Sequence, residues 1–172
     1  MTFQDPDYMR LALDEARSAF LKGEVPVGAV LVRDDGAILS RGHNLRESLS
    51  DPTAHAELRV IQEASRQLDH WRLSGLTLYV TLEPCPMCAG AILQARIPRL
   101  VFGCLDPKAG ACGSLLNLPE DSRFNHRVRV EKGCLEGECS SLLREFFAVL
   151  RETRKASRFR PVRMFQNHDT RY

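Results

Sequence analysis

The chain has 172 residues, 44% hydrophobic and 27% charged, with a formal net charge of +2; this is one domain's worth of ordinary globular composition and excludes a disordered or fibrous chain. Its longest apolar run, Val27 to Val32, is far short of the roughly 18 residues of a membrane span. Acidic residues in the opening MTFQDPDYMR stand where an export signal would be basic and then apolar, so the six cysteines read as buried thiols or metal ligands in a reducing, cytoplasmic compartment.

Along the chain, Asp5-Pro6 reads as a helix cap and a first-turn proline, and Tyr8, Ala12, Ala16, Ala19 and Phe20 recur at helical spacing until Gly23. Val27 to Val32 and Ala37 to Ser40 flank the turn residues Asp34-Asp35-Gly36, a hairpin pattern. Asp51-Pro52-Thr53 predicts a second helix start, with Leu58, Ile61, Ala64 and Leu68 on its buried face. Leu76 to Leu82 is rich in strand formers, and Pro86 stands in the first turn of a helix through Ile92-Leu93. Leu100 to Phe102 and Val128 to Val130 predict two more strands. Leu135, Cys139, Leu142, Phe146 and Leu150 then form the apolar stripe of a long last helix. With no repeat or long linker, this alternation predicts an α/β sandwich around one sheet of about five strands. The last 22 residues carry 7 Lys and Arg against 2 Asp and Glu. A basic tail, residues 155–172, thus follows a domain of residues 1–154. It is either a solubilising helix end or a contact for a polyanion such as nucleic acid.

Two cysteines three apart say little by themselves. Here they lie in Pro84-Cys85-Pro86-Met87-Cys88, between a predicted strand and a predicted helix, and His55-Ala56-Glu57 lies upstream at another helix start. H-x-E followed by P-C-x-x-C is the zinc motif of the nucleotide deaminases. Two thiolates and one imidazole neutralise Zn²⁺ and leave a fourth tetrahedral position for water, the arrangement of a catalytic site. His55, Cys85 and Cys88 are the expected ligands of one zinc ion per subunit, and Glu57 the residue that moves protons between water and substrate. A redox dithiol is the other reading of the pair, but it would leave His55 and Pro84 idle. Cys104, Cys112, Cys134 and Cys139 read as small buried residues, and His43, His70, His126 and His168 lack metal spacing.

Beyond the motif, the chain resembles the bacterial tRNA-specific adenosine deaminases of the cytidine deaminase superfamily. The resemblance is carried by Glu24 to Ala29, Asn44, Asp51 to Glu57, Leu78 to Gly90, Val101 to Gly103, Asp106, Lys108, Gly113 to Leu115 and Asn125 to Val128. It implies a three-layer α/β/α fold with a mixed sheet, and hydrolytic deamination of adenosine to inosine at the wobble position of a tRNA anticodon with zinc-activated water. It also implies a tRNA anticodon stem-loop as partner, no membrane, and a homodimer. Carried over by position, Asn44 would contact the flipped adenine, with Val27 and Ala56 beside it in the pocket. Asp106 and Lys108 would lie on a loop touching the anticodon, and Phe146 and Phe147 near the entrance. Asn44 would serve equally as a turn residue, Asp106 as a loop opener, and at least one of the two phenylalanines as core. Two other functions share the motif: a deaminase of guanine or a free nucleoside, and a non-catalytic zinc-stabilised RNA-binding module.

Overall fold

Alternation along three central strands sets the layers of the molecule. The computed structural model describes residues 3–158. In it β1 (Gly28–Arg33), β2 (Ile38–His43), β3 (Leu76–Leu82), β4 (Arg99–Cys104) and β5 (Arg129–Lys132) form one sheet in the order β2-β1-β3-β4-β5. β1 pairs antiparallel with β2 and β3, whereas β3, β4 and β5 run parallel, so the sheet is mixed. Successive residues of a strand point to opposite faces, and here both faces are apolar. Ala29, Leu31, Leu78, Val80, Leu100 and Phe102 pack on one face against Val60, Ile61 and Ala64 of α3 (Ala56–Leu68) and Ala89, Ile92 and Leu93 of α4 (Pro86–Gln94). Val30, Val32, Tyr79 and Val101 pack on the other against Tyr8, Met9, Ala12 and Leu13 of α1 (Asp5–Leu21) and Cys139 of α5 (Glu136–Arg158). The continuous apolar reading of these strands is the mark of a sheet covered on both sides. The result is the three-layer α/β/α sandwich.

Gly28 lets the first layer close. A Cβ there would overlap the backbone of α1 at Ala12 and Ala16, so α1 crosses the start of β1 at a distance only glycine permits.

Three local expectations are corrected. Asp5 does not cap α1. Gln4 holds that position and donates its backbone N–H to Asp7 Oδ2 at 2.9 Å, while the Asp5 carboxylate accepts from Arg99 at 2.6 Å and from the Tyr79 hydroxyl at 2.7 Å. The Asp51-Pro52-Thr53 segment is a turn rather than a helix start, because Asp51 Oδ1 accepts from the Thr53 N–H and hydroxyl at 2.8 and 2.7 Å. The helix begins at Ala56, after an extended His55. That start rotates its buried face to Ala56, Glu57, Val60, Ile61 and Ala64, leaving Leu58 half-buried and Leu68 exposed. A further short helix, α2 (Arg46–Leu49), had no sequence signal.

The connection between β4 and β5, residues 105–128, contains no regular helix. Of the basic tail expected over 155–172, the part to Arg158 continues α5 and the remainder lies outside the described residues. No helix among the described residues is long and apolar enough to cross a membrane.

Candidate metal centre and its cleft

The C-terminal ends of β3 and β4 and the N-termini of α3 and α4 meet at one place. His55 is the N-cap residue of α3 and Cys85 that of α4; neither side chain caps its helix, so both are free to act as ligands. Cys88 lies one turn into α4, fully buried. Pro86 opens α4 without wasting a donor, since a first-turn N–H has no partner within the helix.

The Sγ atoms of Cys85 and Cys88 lie 3.7 and 3.6 Å from His55 Nδ1, and the three ligand atoms all fall within 4.8 Å of one another. A tetrahedral zinc with Zn–S of about 2.3 Å and Zn–N of about 2.05 Å sets such S···N separations at about 3.6 Å. The donor set and its spacing therefore fit a zinc-type ion. Without one, the hydrogen bond from Cys88 pulls the Cys85 thiol down to about 4. Sharing that proton, together with burial, pushes Cys88 far up. The hydrogen bond with Cys85 raises His55. The Cys88 thiol thus holds a proton that a divalent cation would displace.

Glu57, 3% exposed, stands one residue inside α3 from the ligand-proximal end. Burial drives its carboxyl above the usual carboxylate range, the direction that favours holding a proton.

A cleft of about 210 Å³ opens onto these groups, lined in part by Val25, Val27, Asn44, Arg46, Ala56 and Asp106. Of the residues expected around a substrate, Val27, Asn44, Ala56 and Asp106 are therefore together in its wall. Lys108 is exposed and outside it. Phe146 and Phe147 are outside it too: Phe146 packs edge-on against Phe20 with ring centroids 5.5 Å apart, and Phe147 is 40% exposed on α5. Cys104, Cys112 and Cys139 are buried and Cys134 is half-buried.

Two buried carboxylates, one behind Asn44 and one in the cleft wall, carried no expectation beyond their place in the resemblance. Glu24 is fully buried and accepts from Asn44 Nδ2 at 3.3 Å and from the backbone N–H groups of Glu47 and Ser48 at 3.2 and 2.6 Å. It holds Asn44 and the start of α2 together. Glu83, 2% exposed, directly follows β3 and directly precedes Pro84-Cys85. Burial alone would raise its carboxyl, but the Ser114 hydroxyl and backbone N–H donors outweigh that and hold it below the usual range. The available signal was an acidic residue closing an otherwise apolar strand, which has to find donors if it is buried.

A family model of MafB19-like deaminases matches residues 3–151. The tRNA-specific adenosine deaminase of Bacillus subtilis is 54% identical over 155 residues, covering 90% of this chain and 96% of that protein. Its counterpart in Haemophilus influenzae is 50% identical over 151 residues, covering 88% and 87%. A solved structure from work on A-to-I editing by tRNA:A34 deaminases at the wobble position of transfer RNA is 48% identical. It superposes with a TM-score of 0.75 over 78% of this chain and 97% of that one.

Proposed function

We propose, given that this chain belongs to the MafB19-like deaminases and within them to the tRNA-specific adenosine deaminases, that His55, Cys85 and Cys88 hold zinc and that Glu57 carries the protons of the reaction. That reaction is the hydrolytic deamination of adenosine to inosine at the wobble position of a tRNA anticodon. The observation that supports the assignment of residues is the ligand triad, with S···N distances of 3.6 and 3.7 Å, beside a buried Glu57 in the floor of one cleft.

Zinc held there supplies the Lewis acid that makes water a nucleophile near pH 7. Glu57 takes a proton from the attacking water and delivers it to the adenine ring nitrogen N1 as the C6–O bond forms. It then takes the remaining proton from the new C6 hydroxyl and gives it to the departing amine, so that the C6–N bond breaks, the C6 carbonyl forms and ammonia leaves. Asn44, its amide turned by Glu24, meets the polar edge of the base, and Val27 and Ala56 supply apolar contact. The cleft is too small for a duplex to enter, so the adenosine has to be splayed out of a loop. Lys108 and Phe147, exposed outside the cleft, are placed for nucleotides beyond the reacting one. Phe146 supports that surface from within.

Residues 1–154 act as the deaminase domain and the basic segment 155–172 adds affinity for phosphate, in keeping with a family match that ends at residue 151. The enzyme works in the cytoplasm, where its substrate is. It works as a homodimer: Met87, between the two cysteines, and Leu115 and Leu116 leave apolar side chains exposed, a surface a second copy would cover. The relatives at 50 and 54% identity act on tRNA by name, which disfavours a free-base or nucleoside substrate.

The test is turnover of a synthetic anticodon stem-loop with adenosine at the wobble position, read as inosine by mass, with free adenosine and guanine alongside and zinc measured per chain. Inosine in the RNA alone, with one zinc per chain and weaker binding as salt rises, is the expected result. Turnover of only the free base or nucleoside would overturn the RNA substrate.

A further inference from the structure

The segment 105–128 crosses from β4 to the parallel strand β5 without a regular helix. Irregular backbone packed against the body of a protein must find partners for its N–H groups outside secondary structure. For the first part of this segment they come from one side chain. Glu83 Oε2 accepts from the Asp106 N–H at 2.9 Å and from the Ser114 hydroxyl, and Oε1 accepts from the N–H groups of Cys112 and Ser114 at 3.0 and 2.9 Å. The loop also binds the ligand segment directly, Ala111 N–H to Pro84 O at 2.9 Å. Asp106 Oδ1 in turn accepts from the Lys108 and Ala109 N–H groups at 2.9 and 3.1 Å. Gly110 passes so close that a Cβ would overlap the Glu83 carboxylate. Asp106, Ala109 and Glu83 line the cleft with His55 and Cys85.

We infer that Glu83 is a positioning residue for this reaction: its carboxylate fastens the Asp106–Ser114 loop to the segment that carries Cys85, holding the substrate-facing wall of the cleft at a fixed spacing from the metal ligands. The inference rests on the deaminase reading and extends it. With four donors on two oxygens, Glu83 has no acceptor capacity left for proton transfer, which separates its role from that of Glu57. A carboxylate is required because all four groups facing it are donors. An amide would turn its own NH₂ toward at least one of them and leave a buried N–H unpaired.

Glu83→Gln tests this with wild type and Ser114→Ala in parallel, each assayed for zinc per chain, melting temperature, and kcat and KM on the stem-loop. Glu83→Gln is expected to keep its zinc while KM rises about tenfold, the scale of one charge-assisted hydrogen bond. Its kcat should fall less and the shape of its pH profile should not change. Ser114→Ala, which keeps the three backbone donors, should raise KM no more than about threefold. Gly110→Ala keeps the Glu83 carboxylate but crowds the loop against it, and should raise KM as Glu83→Gln does; it serves as the second variant if Glu83→Gln does not fold. Wild-type kinetics in Glu83→Gln, or a loss that vanishes when activity is expressed per bound zinc, would overturn the positioning role. Absence of stem-loop turnover in wild type would instead overturn the deaminase reading beneath it.

Discussion

At the start of β4, Arg99 reaches Asp5 at 2.6 Å and Glu131 at 3.0 Å, and the Tyr79 hydroxyl joins the same carboxylate of Asp5. At the other end of the same sheet, Glu57 is buried near His55, Cys85 and Cys88. The consequences for the carboxyl groups are opposite. The Arg99 hydrogen bonds hold Asp5 and Glu131 below their usual range, whereas burial lifts Glu57 above it. One end spends its charges on each other and gains stability; at the other, burial outweighs the donors around Glu57 and favours its protonated form. Glu83 shows that donors can outweigh burial, since it is as little exposed as Glu57 but saturated with donors and held low.

The largest effect that would break this contrast is at the reactive end. Glu57→Ala should lower kcat by about 10²- to 10⁴-fold while zinc per chain and the melting temperature hold, as followed by inosine formation, metal analysis and thermal unfolding. A variant that kept more than a tenth of wild-type turnover would remove Glu57 from the proton path. Next is Arg99→Met, which takes the guanidinium from Asp5 and leaves Glu131 with Arg129 alone, at 3.1 Å. Urea unfolding should show a loss of about 2 kcal/mol, below the full cost of a buried unpaired charge because these groups are partly exposed. Its kcat/KM on the stem-loop should match wild type, since the network is remote from the cleft. A fall in kcat/KM with zinc retained would mean the two ends are coupled.

The smallest effect sharpens the comparison through pH. Asp5 and Glu131 have folded-state pKa values below their unfolded ones, which are about 3.9 and 4.3. Their contribution to stability is therefore complete above about pH 5 and is lost as pH falls through the folded values. Wild-type stability should decline along that acid limb, and the limb should be shallower in Arg99→Met, where Asp5 loses its hydrogen-bonded cation and Glu131 keeps only Arg129. Equal slopes in urea titrations from pH 5 to 2.5 would detach the network from acid stability.

Much of this was legible from residue order. The strand Leu76 to Leu82 is found at its expected bounds, α4 begins at Pro86 as its proline predicts, and the last helix runs along the Cys139-Phe146 stripe. The zinc motif named three residues that converge in space. What was misread has local causes. Asp51 offers its carboxylate to a turn as readily as to a helix, and only the extended backbone of His55 shows where α3 starts. Asp5 beside Pro6 has the form of a cap, yet a guanidinium from β4 outbids the helix end for its carboxylate.

Periodicity and motif spacing act over a few residues, so the sequence by itself determined which residues alternate into a doubly covered sheet and which three ligands a metal would find. The tertiary structure alone decided the fate of these carboxylates. Glu83 takes donors from 23 to 31 residues away and Asp5 its cation from 94 away. Such partners are assigned by how the crossovers stack the strands, and no pattern along a single element encodes them. Whether a buried acid becomes an anchor, half of an ion pair or a proton carrier follows from that assignment, because the donors that reach it set the free energy of its charged form.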